Sequence, residues 1–486
     1  MDAFFEKLSM LLGGNIPRDH LKLMACVIAT YPGAILYRRL PADKPALKHL
    51  FSIIYVLFTM LAVLHSYVGF MHIGLTALFT YYFMKYFHGS NGPWINFAIS
   101  MLSMSICHLD RQFKGYEGDS TLDYSGSLMI LTIKTSSFGF NVLDGRRRDA
   151  AATEYNKRMK IETYPSLLEY LGWVCFFGGF LAGPTCEYMD YFRYTNFFFL
   201  SKESKLSPYG PTAKVLLISL AFAAWVILFA PTFNFFNLLT PEFARLPFLS
   251  RIWYLQISGF MTRCKYYCIW LLSEGTCILS GFGFNGYKEG GQPRWDRLRN
   301  IDVVVCETSQ SYNELSRAWN LGANNWLRHY VYLRVTPPGT KPTSAAAVIT
   351  YTTSAFWHGF HPGYYLFFCS VSFYQILGRR FRKCVRPLTL TRPFLKLAYD
   401  SAGWLLTMGI VNILICPFDL LRISRIQKVW SSVYYIHYWL LALGWLLIFA
   451  VERPLLAYIK RRELTPPRTP NPVEQAVENL GLKVSK

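Results

Sequence analysis

A histidine and an asparagine are the two side chains whose type and position best suit chemistry. His358 lies in the run TYTTSAFWHGFHPGYYLFF, near the middle of a segment, 342–378, that contains no Asp, Glu, Lys or Arg. A lone histidine in a soluble core is most often a hydrogen-bonded structural residue. Within an uncharged run of membrane length, however, an ionisable side chain is costly to bury, and this favours a functional role. His361 is the weaker candidate, because the Pro362 and Gly363 that follow it predict the end of a helix or a bend.

The asparagine lies upstream, in ETSQSYNELSRAWNLGANNWLRHYVYLRV. Steps of three and four residues separate Trp319, Asn320, Ala323, Trp326 and Leu327, which predicts one helical face carrying two indoles and an amide. One interpretation is an interfacial helix anchored by its tryptophans. The other turns Asn320 into a cavity, where its amide donates to a developing oxyanion while His358 accepts a proton. That pair suits acyl transfer to an alcohol without a Ser or Cys nucleophile.

The composition indicates that these side chains are positioned by membrane helices. Of the 486 residues, 52% are hydrophobic and 16% are charged, whereas a soluble protein has about 25% charged residues. Lys and Arg number 50 against 29 Asp and Glu, which gives a net charge of +21. The basic residues form short clusters between long uncharged runs, a spacing typical of loops that flank membrane spans rather than of a nucleic-acid-binding face.

Uncharged runs long enough to cross a bilayer recur along the chain. A helical span needs about 20 residues, and five runs exceed that length: 51–84, 86–109, 215–240, 342–378 and 430–451. We expect an all-α polytopic membrane protein with about eight to eleven transmembrane helices, and with short or re-entrant helices that enclose a chamber. The first run, with Gly69 and Gly74 near its middle, suits two short spans or a bent hairpin. The multispanning catalytic domain is expected over 1–452, followed by a polar, disordered cytosolic tail over 453–486.

Four sequence blocks carry a resemblance to a known family. They are SEGTCILSGFGFNGYKEG, PRWDRLRNIDVVVCET, AWNLGANNWLRHYVYLRVT and TSAFWHGFHPGYY. Their order and spacing resemble the membrane-bound O-acyltransferase family, and in particular its fungal lysophospholipid acyltransferases. YPSLLEYLGW also looks like a family segment, so the resemblance covers almost the whole membrane part.

The resemblance implies a multi-pass protein of the endoplasmic reticulum membrane, with a catalytic chamber reached from both sides. Its co-substrate would be acyl-CoA and its acceptor a lysophospholipid, with no bound cofactor, metal or nucleic acid; the oligomeric state stays open. The family's catalytic histidine matches His358, which would be the general base toward the free glycerol hydroxyl. Its catalytic asparagine matches Asn320, which would orient the thioester or stabilise charge on its oxygen.

Further substrate contacts are assigned more broadly. Trp319, Trp326 and Trp357 adjoin the two catalytic candidates. Arg294 and Arg297, in RWDRLR, could bind the phosphates of CoA, or they could contact lipid headgroups or pair with neighbouring aspartates.

Glu307 could polarise a neighbour in the cavity wall, although a structural role in a buried network is favoured.

Two alternatives remain at this point. The same two residues could acylate another alcohol, such as diacylglycerol, a sterol or a protein. From a different class, the chain could be a lipid transporter or scramblase with His358 as a proton relay. Against the second alternative stand the lack of an evident internal repeat and the paucity of charge in the spans.

Overall fold

A computed structural model describes residues 1–11, 17–115, 123–147, 153–337, 339–340, 343–390 and 392–461. These residues are mostly helical, and β-type pairing among them is limited to an isolated bridge between Tyr287 and Pro293. The prediction of an all-α fold is confirmed.

The helices follow one another with short connections. In chain order they are α1 (Asp2–Leu11), α2 (Arg18–Arg39), α3 (Pro45–Leu57), α4 (Tyr67–Tyr86), α5 (Gly92–Phe113), α6 (Ser125–Arg146), α7 (Glu154–Met159), α8 (Leu167–Val174), α9 (Tyr188–Asn196), α10 (Tyr209–Phe229), α11 (Pro241–Arg245), α12 (Phe248–Ser280), α13 (Val303–Thr308), α14 (Tyr312–Ala318), α15 (Leu321–Trp326), α16 (Ser344–His358), α17 (Pro362–Thr389), α18 (Pro393–Leu414), α19 (Cys416–Leu420), α20 (Ile423–Ser432) and α21 (Ile436–Arg461). Two π-helical segments, Phe58–Val63 and Leu327–Tyr332, extend α3 and α15, and 3₁₀ turns occupy Phe198–Leu200, Lys202–Lys205 and Asn237–Leu239.

Five stretches of helix are long and apolar enough to cross a membrane. They are Arg18–Arg39, Pro45–Val63, Tyr209–Phe229, Pro393–Leu420 and Ile436–Arg461. A further five helices outside that set, α4, α5, α6, α12 and α17, also contain 20 residues or more. Because a helix rises 1.5 Å per residue, 20 residues reach about 30 Å. The described residues thus contain ten helices of about spanning length, in agreement with the predicted eight to eleven.

Helix α6 shows why polar helices occur inside this fold. Most of its side chains are buried by protein. Thr132 and Thr135 donate to the backbone carbonyls four residues earlier, each at 2.9 Å. Lys134 Nζ donates to the Trp173 carbonyl at 2.8 Å. Hydroxyl and ammonium groups are tolerated at this depth because each has a protein partner, so α6 does not need the apolar surface of a lipid-facing span.

The first uncharged run, 51–84, breaks just before Gly69. The π-helical segment after α3 ends at Val63 and α4 begins at Tyr67, with His65 between them at a left-handed φ of 52°. Gly69 instead serves packing, since a Cβ there would lie 2.6 Å from a ring carbon of Tyr124. The run thus forms two helical stretches, which is the first of the two arrangements that its length suits.

The run 342–378 divides where the His361–Pro362 pair predicts it. Helix α16 ends at His358, Gly359 takes a φ of +122°, and α17 begins with Pro362 in its first turn. The next residue, Gly363, donates its N–H to the Leu421 carbonyl at 3.0 Å. This bond ties the start of α17 to the end of α19, beside the break that presents His358.

The expected domain boundary at residue 452 falls inside a helix. Helix α21 continues to Arg461. Residues 462–486, the larger part of the predicted tail, lie outside the described residues.

We expect Gly363→Ala to destabilise the protein by about 1–3 kcal/mol, the usual cost of overpacking. The added Cβ would lie 2.1 Å from the Pro417 carbonyl oxygen, so α17 and α19 would have to separate. Gly378→Ala, in the same helix, is the matched control because nothing lies within 4 Å of its Cβ position. Thermal unfolding of the detergent-solubilised variants measures both; equal unfolding temperatures for the two variants would contradict this packing.

Candidate active site

A chamber of about 800 Å³ lies between the helices, and it is lined by both catalytic candidates, His358 and Asn320. Its walls come from α5, α6, α12, the segment 181–185, α14, α15, α16, α17 and α18. Residues that are far apart in sequence thus share one cavity inside the helical bundle.

His358 is held at the chamber wall by a collar of aromatic rings. The ring centroids of Trp357, Phe368 and Phe418 lie 4.7, 5.2 and 4.9 Å from that of the imidazole, and Tyr364 lies at 5.7 Å. Such a collar fixes the plane of the imidazole while leaving its nitrogens to hydrogen-bond within the chamber. The imidazole remains partly exposed to the chamber, where a substrate hydroxyl can reach it.

The neighbouring residue, Trp357, anchors this end of α16 by two hydrogen bonds. Its indole Nε1 donates to the Met129 carbonyl at 3.1 Å, and its own carbonyl accepts from His108 Nε2 at 3.2 Å. Trp357 also lines the chamber. The position of His358 therefore depends on α5 and α6 as well as on its own helix.

Asn320 lies at a break between two helices and not on one continuous helix. Helix α14 ends at Ala318 and α15 begins at Leu321, so the prediction of a single helical face through 319–327 was wrong. Asn320 has a left-handed backbone (φ 43°, ψ 60°), a conformation that asparagine tolerates better than most residues. Its Oδ1 accepts the Ala323 N–H at 3.4 Å and caps α15. The amide NH₂ is the part of the side chain that remains for the chamber.

Asn300 holds the backbone that follows Asn320. The Leu321 N–H donates to the Asn300 carbonyl at 2.8 Å, and the Gly322 N–H donates to Asn300 Oδ1 at 3.1 Å. These bonds satisfy backbone donors that the broken helix leaves open. Gly322 packs tightly, since a Cβ there would lie 2.5 Å from Thr185 Oγ1.

Some of the predicted tryptophans line the chamber, and one supports the chamber wall from behind. Trp319 lines the chamber and packs edge-on against Trp270 at 5.2 Å between ring centroids. Trp326 is 1% exposed and lies behind the wall, where its Nε1 donates to Ser136 Oγ at 2.9 Å. The ring of Trp326 lies 6.0 Å from that of Trp357. This contact joins the helix that follows Asn320 to the helix that ends in His358.

Arg294 and Arg297 lie outside the residues that line the chamber. Arg294 pairs with Asp296 at 3.1 Å. Burial alone would raise the pKa of Asp296, but hydrogen bonds from Asn285 and Arg294 outweigh it and hold that pKa below its usual value.

Arg297 donates to the Phe284 carbonyl at 2.7 Å and lies 3.4 Å from Asp190, and burial lowers the pKa of its guanidinium. Both arginines thus have protein partners: Arg294 has one in its own loop, and Arg297 joins that loop to α9.

Glu307 also lies behind the wall. Its two carboxylate oxygens each accept from Arg263 at 2.9 Å, and Tyr267 donates to Oε1 at 2.5 Å. Arg263 itself lines the chamber. The contacts agree with the favoured structural interpretation, in which Glu307 satisfies a buried cation of the wall.

Other arginines reach the chamber, and sequence reasoning did not select them. Arg111, Arg328 and Arg379 all line it. Arg379 opens the basic stretch 379–396 of the sequence, which was a usable signal. Nothing local marks Arg111 or Arg328, because their access to the chamber depends on how α5 and the π-helical segment Leu327–Tyr332 pack.

The chamber has two distinct ends. Ser125, at the start of α6, and Arg111, near the end of α5, line one end. Arg379 lies 16 residues beyond Gly363 on α17, a separation of about 24 Å along a helix. Arg328 also lies away from Ser125, because Arg334, two residues after the π-helical segment that contains Arg328, pairs with Asp144 near the far end of α6 at 2.5 Å.

Comparison with known proteins assigns the family. A family model described as the membrane-bound O-acyltransferase family matches residues 47–416, which include His358 and Asn320. The chain belongs to this family. It is an acyltransferase, and the transporter alternative is set aside.

Named relatives of this membrane-bound O-acyltransferase align over most of its length. A lysophospholipid acyltransferase of Schizosaccharomyces pombe is 36% identical over 90% of this chain and 87% of its own. One from Saccharomyces cerevisiae is 33% identical, over 90% of this chain and 75% of its own. Membrane-bound glycerophospholipid O-acyltransferase 1 of Mus musculus is 30% identical over 88% and 89%. The predicted resemblance is confirmed.

We expect Gly322→Ala to lower kcat by about tenfold or more, because the new Cβ would displace the loop that holds Asn320. Thr185→Ala in the same chain should restore much of the loss, since it removes the Oγ1 that the Cβ meets. The acyltransferase rate of the single and double variants at matched expression measures this. A double variant no better than Gly322→Ala would show that Thr185 does not set the position of the loop.

Proposed function

We propose that this membrane-bound O-acyltransferase transfers a fatty acyl group from acyl-CoA to the free glycerol hydroxyl of a lysophospholipid. The observation that carries the proposal is the shared chamber, in which His358 and Asn320 line one cavity. The relatives named as lysophospholipid acyltransferases, which align over 90% of the chain, supply the acceptor class.

His358 acts as the general base in this mechanism. It accepts the hydroxyl proton while the glycerol oxygen attacks the carbonyl carbon of the thioester. The carbon–sulfur bond then breaks, CoA leaves as a thiolate, and the imidazolium returns its proton to the sulfur. No covalent acyl-enzyme forms, so no Ser or Cys nucleophile is required.

Asn320 stabilises the oxyanion of the tetrahedral intermediate. Its Oδ1 is occupied by the Ala323 N–H, so its NH₂ group is the one available to donate. A preorganised donor in a site that excludes water is worth about 2.7–4 kcal/mol in comparable acyl transfers. The left-handed backbone and the bonds to Asn300 provide this preorganisation.

Arg328 and Arg379 bind the phosphates of CoA at the cytosolic end. Basic residues cluster at that end, as the positive-inside rule requires of cytosolic loops. The span of α17 from His358's neighbourhood to Arg379 is comparable to the pantetheine arm of CoA, so the thioester reaches His358 when the phosphates lie at Arg379. This assignment replaces the one to Arg294 and Arg297, which lie outside the chamber lining and pair with Asp296 and with Asp190 of α9.

The membrane is that of the endoplasmic reticulum, the location that the resemblance implies. In this orientation the protein takes acyl-CoA from the cytosol, and the lysophospholipid enters from the bilayer or from the opposite end. The product is a diacyl phospholipid, which returns to the same membrane.

We expect His358→Gln to lower lysolipid-dependent CoA release by about 10²–10⁴-fold, the usual contribution of a general base. The assay supplies oleoyl-CoA and lysophosphatidylcholine to membranes that carry each variant at matched expression. His88→Gln is the control, because His88 is exposed and lies outside the chamber lining. Equal activity of His358→Gln and wild type would overturn the base assignment.

The same assay tests the acceptor. The wild type could release no CoA with a lysolipid of any headgroup and yet release CoA when diacylglycerol or a sterol is added. That result would assign the function to the other alcohol acceptors. Thin-layer separation of the labelled product distinguishes a diacyl phospholipid from those esters.

Arg379→Gln should raise the KM for acyl-CoA by about tenfold, because a charged hydrogen bond to phosphate is lost. The KM for lysophosphatidylcholine should stay unchanged. Arg382→Gln, on the exposed face of the same helix, is the matched control. Equal KM values for acyl-CoA in the two variants would show that Arg379 does not contact CoA.

A further inference from the structure

A second cavity, of about 260 Å³, adjoins the chamber at the end away from Arg379. Three lining residues, Arg111, Gly126 and Leu181, are shared by the two cavities. The remaining lining comes from α2, the π-helical segment Phe58–Val63, the turn before α4, and the chain just before and at the start of α6: Asp19, His20, Lys22, Leu23, Met60, Leu64, Ser66, Asp123, Tyr124 and Ser127. This polar cavity therefore opens beside the apolar chamber that holds His358.

The charges of the second cavity are balanced and lie in two groups, one around Lys22 and one around Arg111. Lys22 is nearly buried, with its Nζ 2.6 Å from Asp2 and 3.9 Å from Asp19. Arg111 Nε lies 3.2 Å from Asp123 Oδ2. Two cations and two anions thus line the cavity, and neither sign dominates. His20 Nδ1 is buried and has no hydrogen-bond partner among the described residues. This nitrogen of the lining can therefore form a hydrogen bond with a ligand.

Arg111 places this cavity close to the reaction. It lies three residues after His108 on α5, about one helical turn away and on the same face. His108 Nε2 donates to the Trp357 carbonyl, next to His358. In a lysophospholipid the phosphate is only a few bonds from the reacting hydroxyl. A glycerol hydroxyl at His358 therefore brings the phosphate toward Arg111.

We infer that the second cavity binds the zwitterionic headgroup of the acceptor lysophospholipid. Its phosphate lies at Arg111, and its ammonium group lies at the carboxylates of Asp123 and Asp19. The inference rests on the proposed function and adds a headgroup class to it, choline or ethanolamine phosphate.

Balanced charge favours a zwitterion over a headgroup that is only anionic. The phosphate of either headgroup is drawn to Arg111. An ammonium group also satisfies the carboxylates, whereas glycerol or a bare phosphate leaves Asp123 and Asp19 without a cation of the ligand. Discrimination therefore comes from the acidic side chains, and removal of one of them should favour anionic acceptors.

The cavity also depends on α2, which precedes residues 47–416, the part matched by the family model. Lys22, His20 and Asp19 all belong to this helix. Headgroup choice can thus be set by a segment outside the part that carries the catalytic residues.

Asp123→Asn tests the inference without disturbing the start of α6. Asp123 Oδ1 accepts from the Ser125 N–H at 2.9 Å, and an asparagine oxygen can keep that bond. Asp110→Asn is the matched control, since Asp110 lies nearby on α5, is exposed, pairs with Lys114 and does not line either cavity. Lysophosphatidylcholine and lysophosphatidylglycerol of the same acyl chain are compared by CoA release.

The ratio of kcat/KM for the choline substrate to that for the glycerol substrate should fall about tenfold in Asp123→Asn and stay at the wild-type value in Asp110→Asn. Arg111→Gln should raise the KM of both lysolipids and leave the KM of acyl-CoA unchanged. An unchanged ratio in Asp123→Asn, with an active wild type, would overturn the headgroup site alone. A wild type inactive with every lysolipid would instead overturn the proposed function.

A diacyl phospholipid of the membrane carries the same headgroup as the substrate. A further experiment distinguishes the two as occupants of the second cavity. If the cavity serves the substrate, added dioleoylphosphatidylcholine competes with lysophosphatidylcholine and leaves Vmax unchanged. Activation by dioleoylphosphatidylcholine that is lost in Asp123→Asn would assign the cavity to a bystander lipid and overturn the inference.

Discussion

The structure depends on one constraint, which is that a helix broken inside a membrane protein must find partners for its backbone groups. Both catalytic candidates lie at such breaks. The Asn320 break is satisfied by Asn300 and by the asparagine's own side chain, and the His358 break is followed by Gly363, which bonds to Leu421. Because of the breaks, side chains at the ends of helices face a common chamber. Continuous helices that cross the membrane side by side would not place them there.

Packing behind the chamber wall then couples the two breaks. Trp326 contacts Trp357 and hydrogen-bonds Ser136 on α6, while Trp357 hydrogen-bonds residues of α5 and α6. A displacement of α15 therefore also displaces α16, and the reverse. A general base and an oxyanion donor require rigid support of this kind, because a small displacement of a reacting group strongly lowers the reaction rate. The same helices, α5 and α6, also border the second cavity.

The sequence was most informative where a feature is local. The uncharged runs predicted the helical membrane fold, and His361 with Pro362 predicted the end of α16. The spacing of residues 319–327 wrongly predicted one continuous helix, because side-chain spacing carries no information about the left-handed backbone of Asn320. The length of the run 51–84 indicated two short spans or a hairpin, but the place of the turn, at His65, follows from tertiary packing in which Gly69 accommodates Tyr124. Which arginines reach the chamber depends on long-range packing, so Arg111, Arg328 and Arg379 became visible only in the structure.

The central claim is that both substrates meet between His358 and Asn320. Cryo-electron microscopy of His358→Gln, saturated with oleoyl-CoA and lysophosphatidylcholine, tests it most directly. We expect the free glycerol hydroxyl about 3 Å from the side chain at position 358, and the thioester oxygen within hydrogen-bond distance of the Asn320 amide. A lysolipid hydroxyl and a thioester bound well away from these two side chains would contradict it.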